Sequence, residues 1–120
     1  MNVTLVYPLL SRQRSRVDEN KQYWPPLGLA YIAAVLRQHG HHVQILDRDY
    51  IMRKHNFDFE ATDTATLDRI RDFSSDIVGF SATTPNVSDV DAFSRKVKAA
   101  NSRITTALHM RNVSSGSPTQ

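Results

Sequence analysis

WPPLGLAYIAAVLRQHGHHVQILD, residues 24–47, is the stretch from which the architecture can be read. Pro25 and Pro26 suit a first helical turn, where the missing N–H is not needed and φ is already set. Leu29, Ile32, Ala33 and Leu36 then fall on one face at helical spacing. Tyr31, Ala34 and Val35 make the helix apolar nearly all round, which predicts that it is sandwiched between other elements. Gly40 stands where a left-handed C-terminal cap belongs. Val43, Ile45 and Leu46 follow as a short apolar strand. A strand directly after such a helix points to an α/β layered domain.

The chain has 120 residues, enough for one hydrophobic core and one domain. Hydrophobic residues make up 40% and charged residues 22%, an ordinary soluble balance. The net charge of +3 is spread among acidic neighbours, apart from a local set of Arg12, Arg14, Arg16 and Lys21. With no aromatic-basic platform, nucleic acid is not the expected partner. The sequence has no cysteine, which excludes disulfides, thiolate catalysis and a cysteine-held iron–sulfur cluster in this chain. No apolar run approaches the roughly 18 residues of a membrane span, and MNVTLVYP lacks the features of a signal peptide. The expected compartment is the cytoplasm.

Outward from the opening stretch, NVTLVY reads as a first strand ended by Pro8. Residues 9–23 form a polar connection of about fifteen residues, longer than most strand-to-helix loops, and such loops are often functional. Residues 48–62 read as a second irregular connection, with Tyr50, Ile51, Phe57 and Phe59 available to pack over an edge. A second helix is expected over 63–73 from Leu67, Ile70 and Phe73. IVGFSA, residues 77–82, has the near-continuous apolar run of a central parallel strand covered on both faces. Asn86 or Ser88 can cap a third helix, whose buried face is Val90, Phe93, Val97 and Ala100. RITTAL, residues 103–108, reads as a fourth strand, and 109–120 as a disordered tail. Right-handed crossovers then give a parallel sheet in the order 2-1-3-4, a Rossmann-like (flavodoxin-like) three-layer α/β sandwich, incomplete at its C-terminal edge.

In such sheets ligands bind beyond the carboxyl ends of the strands, where the strand order reverses. The candidate contacts are Pro8, Leu9, Leu10 and Ser11 on one side and Ser81, Ala82, Thr83 and Thr84 on the other. The helix start at Pro26, Leu27 and Gly28 faces the same end. Hydroxyls beside free helix N–H groups suit a phosphate or a polar nucleotide-like tail; the alternative is that Ser81, Thr83 and Thr84 only cap and turn. His39, His41 and His42 look like a metal site, but residues one apart on a strand point to opposite faces. Asp47, Asp49 and Asp58 lack metal-loop spacing. The common phosphate-loop, nucleophile-elbow and zinc motifs are absent, and no nucleophile–base pair stands out.

These residues carry a resemblance. The stretch 24–47 resembles the PPLGLAYLAAxLRxxGHxVxxxD signature of the cobalamin-binding domain that begins many radical S-adenosylmethionine enzymes. VTLVYP is similar to that family's first strand, and DIVGFSATTPN to its third strand and turn. The resemblance covers residues 1–108 and implies a Rossmann-like domain holding cobalamin at the carboxyl edge of its sheet. It implies cofactor contacts at Pro8, Leu9, Leu27, Gly28, Ser81, Ala82, Thr83 and Thr84, with no metal ligand from the protein and no catalytic residue. It also implies a radical catalytic domain as partner, supplied separately.

The sequence departs from that pattern after RITTAL. The family's fourth strand runs into a Gly-Gly-x-His turn, where glycine permits close backbone approach; here His109, Met110 and Arg111 follow. The cysteine cluster motif of the catalytic domain is absent as well. The expectation is therefore a truncated or frame-shifted binding module, without catalysis of its own. Two alternatives are a fragment of the N-terminal lobe of a sugar-nucleotide glycosyltransferase, or an interaction fragment that self-associates through an exposed sheet edge. The former calls for a glycine-rich turn after the first strand, and Pro8-Leu9-Leu10 does not provide one.

Overall fold

The computed structural model describes residues 1–9, 27–83 and 87–111; of Leu27, Ala82, Thr83, Val87 and 109–111 only the backbone is described. The element order is β1 (Asn2–Tyr7), α1 (Leu27–Gln38), β2 (His42–Asp47), α2 (Arg48–Lys54), α3 (Phe59–Asp72), β3 (Ile77–Thr83), α4 (Val87–Ala100) and β4 (Thr105–Arg111). The strands form one parallel sheet in the order β2-β1-β3-β4, as the crossover argument requires. None of the described helices is long and apolar enough to cross a membrane.

β1 lies between β2 and β3, and Val3 to Val6 are all buried. Its side chains alternate between two cores. Val3 and Leu5 join Leu29 and Ala33 of α1 and Val43 of β2 on one face. Val6 joins Val78, Phe80, Ile70, Phe93 and Val97 on the other, where α2, α3 and α4 lie. Phe80 and Phe93 meet edge to face, with ring centroids 6.3 Å apart. Thr4 is the polar member of the strand, satisfied by Ser75 Oγ and by the Gln44 amide.

α1 ends as its glycine predicts. Gly40 has φ 87°, its N–H donates to Arg37 O, and the His41 N–H reaches back to Leu36 O. This is the Schellman pattern, in which the left-handed residue lets two terminal carbonyls be satisfied. α3 ends with the same pattern built on Ser74 (φ 53°): its N–H donates to Arg71 O and that of Ser75 to Ile70 O.

Several expectations are corrected. α1 is not sandwiched: Leu29 and Ala33 are buried, but Tyr31 is 75% and Val35 38% exposed. The reason is that α1 packs on β1 and β2, and no described helix lies beside it on that face. Residues 48–62 are not irregular. The Asp47 side chain accepts from the Asp49 and Tyr50 N–H groups and so starts α2 directly from β2. Asp58 accepts from Ala61 N and starts α3 four residues earlier than its apolar period shows. Within this segment Ile51 and Met52 are buried, whereas Tyr50 is half exposed. Ala100, expected on the buried face of α4, is exposed. β4 begins at Thr105 because Asn101 closes a turn, accepting from Ile104 N and, through its side chain, from Arg103 N. It continues through His109 to Arg111, pairing with Ser81 to Thr83, where the tail had been expected.

Candidate functional site

The reversal of strand order falls between β1 and β3. Their pairing ends at Val6 and Phe80, whereas β3 stays paired with β4 as far as Thr83 and Arg111. From Tyr7 onward β1 therefore parts from β3, and a crevice opens at the carboxyl edge. α1 starts at this edge on one face of the sheet and α4 on the other, because the crossovers from β1 and β3 leave in opposite directions.

The sequence-predicted residues gather here unequally. Pro8 and Leu9 are buried at the β1 exit, and Leu9 N donates to Asp89 Oδ2 at 2.7 Å. Leu9 thus offers a ligand its backbone position rather than its enclosed side chain. Leu27 and Gly28 form the first turn of α1, and Gly28 is exposed. That turn carries no acidic residue, whereas α2, α3 and α4 have Asp49, Glu60 and Asp89 in theirs. The first turn of α1 therefore supplies no carboxylate of its own to the helix N–H groups, a setting that favours an incoming anion or polar group. Ser81 is partly buried, and Ala82 and Thr83 are the last two residues of β3. Thr84 lies outside the described residues, as do Leu10, Ser11, Pro26 and the rest of the long connection.

The two faces of β3 differ in size. Val78 and Phe80 fill the face beneath α4, while Ile77, Gly79 and Ser81 lie on the α1 face. The Leu5 side chain leans over Gly79, and a Cβ there would stand 3.2 Å from Leu5 Cδ2. On the same face, Thr105 and Ala107 of β4 are exposed. Arg37, on the β2 side of α1, donates to Val43 O. The opposite flank, with Gly28, Ile32 and Val35, therefore looks toward this small-residue floor. The result is a shallow trough beside α1, floored by small and hydroxyl side chains and open to the carboxyl edge. Gly79 and Ala107 are members of this floor that the sequence reading passed over; the every-second-residue spacing of Gly79 and Ser81 was the signal for the former.

The weaker candidates have structural roles. Asp47 and Asp58 are helix caps, and Asp49 pairs with Arg53 at 3.0 Å. The His39 ring lies 2.9 Å from Val35 O at the α1 terminus. Among the described residues no group of three His, Asp or Glu side chains could hold a metal. A cavity of about 650 Å³ between α3 and α4, lined by Leu67, Ile70, Val97 and Ile104, is at the amino edge of the sheet, away from the crevice.

The sequence reading also missed a buried cluster at the same carboxyl edge. Arg48 has no exposed surface, and its guanidinium holds Asp89 by two bonds of 2.9 and 2.7 Å, Asp63 at 2.6 Å and Thr66 at 3.1 Å. Its Cζ stands 4.0 Å above the Phe93 ring, and Lys96 completes the charge balance at 2.6 Å from Asp63. The available signals were weak: an Asp-Arg-Asp run directly after a strand, and a carboxylate in the first turn of α4.

Comparison with known proteins gives one positive finding. A search of curated proteins and a search of solved structures returned no match. The family model of the B12 binding domain matches residues 14–108, well over half the chain, and spans α1 through most of β4. That domain's parallel α/β architecture is the one described above, with the crevice where its strand order reverses. The chain therefore belongs to the B12-binding domain family.

Proposed function

We propose that this chain is a cobalamin-binding module, holding the cofactor at the carboxyl-edge crevice between β1 and β3 and in the trough beside α1. The observation that carries this reading is Ser81 near the carboxyl end of β3, beside the topological switch point, with the exposed Ala107 on the neighbouring strand, within the match to the B12 binding domain. Small side chains let a flat, extended ligand approach the sheet, and the first turn of α1, which has no acidic side chain of its own, suits its polar groups. The residues fit such a group: Gly28 is exposed and Ser81 partly exposed at the lip, and among the described side chains of β1 and β3 the large ones on this face are Leu5, Tyr7 and Ile77. Pro8 and Leu9 shape the β1 side, and Leu27, Ala82, Thr83 and Thr84 complete the proposed contacts.

Bound cobalamin supplies methyl-transfer or cobalt redox chemistry; this chain's own residues bind and orient it. The signature at residues 25–47 supports a setting beside a radical S-adenosylmethionine catalytic domain. In that setting the chain is the binding partner and the separate domain does the chemistry.

The test is a titration of the purified chain with hydroxocobalamin and methylcobalamin, followed by absorbance and by co-elution on size exclusion. Binding is expected to shift the corrin spectrum saturably and to be weak, because His109, Met110 and Arg111 stand where the family pattern has a glycine pair after RITTAL. No spectral change and no co-elution at high micromolar cofactor would overturn the proposal.

A further inference from the structure

The buried cluster around Arg48 ties together the exits of three strands. Arg48 is the residue after the end of β2, Leu9 lies two residues beyond β1, and Asp89 is in the first turn of the helix that follows β3. Asp89 links them: its Oδ2 accepts from both the Leu9 backbone N–H and Arg48 Nε, and its Oδ1 from Arg48 Nη2. Arg48 is in turn anchored to α3 through Asp63 and Thr66 and stacked on Phe93 of α4. Fixing three chain segments by charge-assisted bonds is a directional constraint that apolar packing alone does not supply.

We propose that Arg48 and Asp89 are positioning residues for the ligand: they set the β1 exit and the start of α4 as the two lips of the crevice. The inference rests on the cobalamin-binding reading and adds to it residues that do not themselves touch the ligand. Arg48 is closed to solvent, so its influence passes through Asp89 to the Leu9 backbone. A lysine keeps the charge but presents a single point donor in place of the planar fork, so the lips lose their common reference while the layers still pack.

The experiment compares wild type with Arg48→Lys, Asp89→Asn and Thr66→Val, each at a temperature where it is fully folded by circular dichroism. Asp89→Asn keeps an acceptor for Leu9 but turns an amide donor against the guanidinium. Thr66→Val removes the hydroxyl that accepts from Arg48 and donates to Thr62 O but leaves the Arg48–Asp89–Leu9 link in place, and so separates loss of one anchor from loss of that link. Two readouts are taken: hydroxocobalamin affinity, and hydrogen exchange of the Leu9 amide by NMR. Arg48→Lys and Asp89→Asn are expected to weaken binding about tenfold or more and to speed exchange at Leu9, whereas Thr66→Val changes affinity less than about twofold. Equal affinities across a set in which wild type binds would overturn the positioning role alone. A wild-type chain that does not bind would overturn the cobalamin reading, and this inference with it.

Discussion

The two faces of the sheet are covered by different physics. On the α1 face, Val3, Leu5 and Val43 meet Leu29 and Ala33 in a mainly apolar contact, with Arg37 donating to Val43 O at its edge. The other face has a larger apolar core, but the α3 residues Thr62, Asp63 and Thr66 are buried too, around Arg48. The first kind of contact tolerates adjustment; the second depends on every partner being present. Three oxygen-bearing side chains receive the Arg48 guanidinium, and removing it would take a cation from two buried carboxylates, with Lys96 still on Asp63.

Mutations should separate the two layers. Replacing Arg48 with Met conserves much of its volume but takes the guanidinium from the buried Asp89 and Asp63, the latter keeping Lys96, and should cost about 3–5 kcal/mol. Urea unfolding at 25 °C followed by circular dichroism checks this; a loss under about 1 kcal/mol would mean that the cluster relaxes to water and does not define that layer. On the α1 face, Leu29→Ala should cost about 3 kcal/mol by the same measurement, through lost transfer energy and a residual cavity. That value would fall if α1 could settle toward the sheet, which its exposed outer flank permits.

The smallest effect contrasts the two helix ends. α1 and α3 stop with the same pair of reverse hydrogen bonds, but the left-handed residue is Gly40 in one and Ser74 in the other. Ser74 carries a Cβ in a conformation that disfavours it. Ser74→Gly should therefore stabilise the chain by about 0.5–1 kcal/mol, seen as a higher thermal midpoint. No change would indicate that the greater freedom of glycine in the unfolded chain offsets the relief.

The same contrast explains what could be read without coordinates. The α1 helix, its Gly40 stop, the apolar alternation of β1 and β3 and the strand order follow from period and from the handedness of crossovers. α2 escaped because seven residues are too few to display a helical period, and its start depends on the Asp47 side chain. The beginning of α3 escaped because its buried face is polar. Threonines and aspartates read as surface unless their partners are known, and those of Arg48 lie 15, 18 and 41 residues along the chain. Of the candidate site, the switch point and its two strand ends were legible, as was the glycine at the start of α1. Its floor was not, because Ala107 joins Gly79 only through the β3–β4 register.

By itself, then, the sequence determined the layer order, the sheet topology and the place where the strand order reverses, since these depend on local periodicity and chain handedness. Tertiary structure alone decided which charged residues were buried and which flank of α1 stayed open. It also decided how the β1 exit is tied to α4. Those outcomes depend on which distant side chains meet, and a charge becomes part of a core only where an opposite charge is already held.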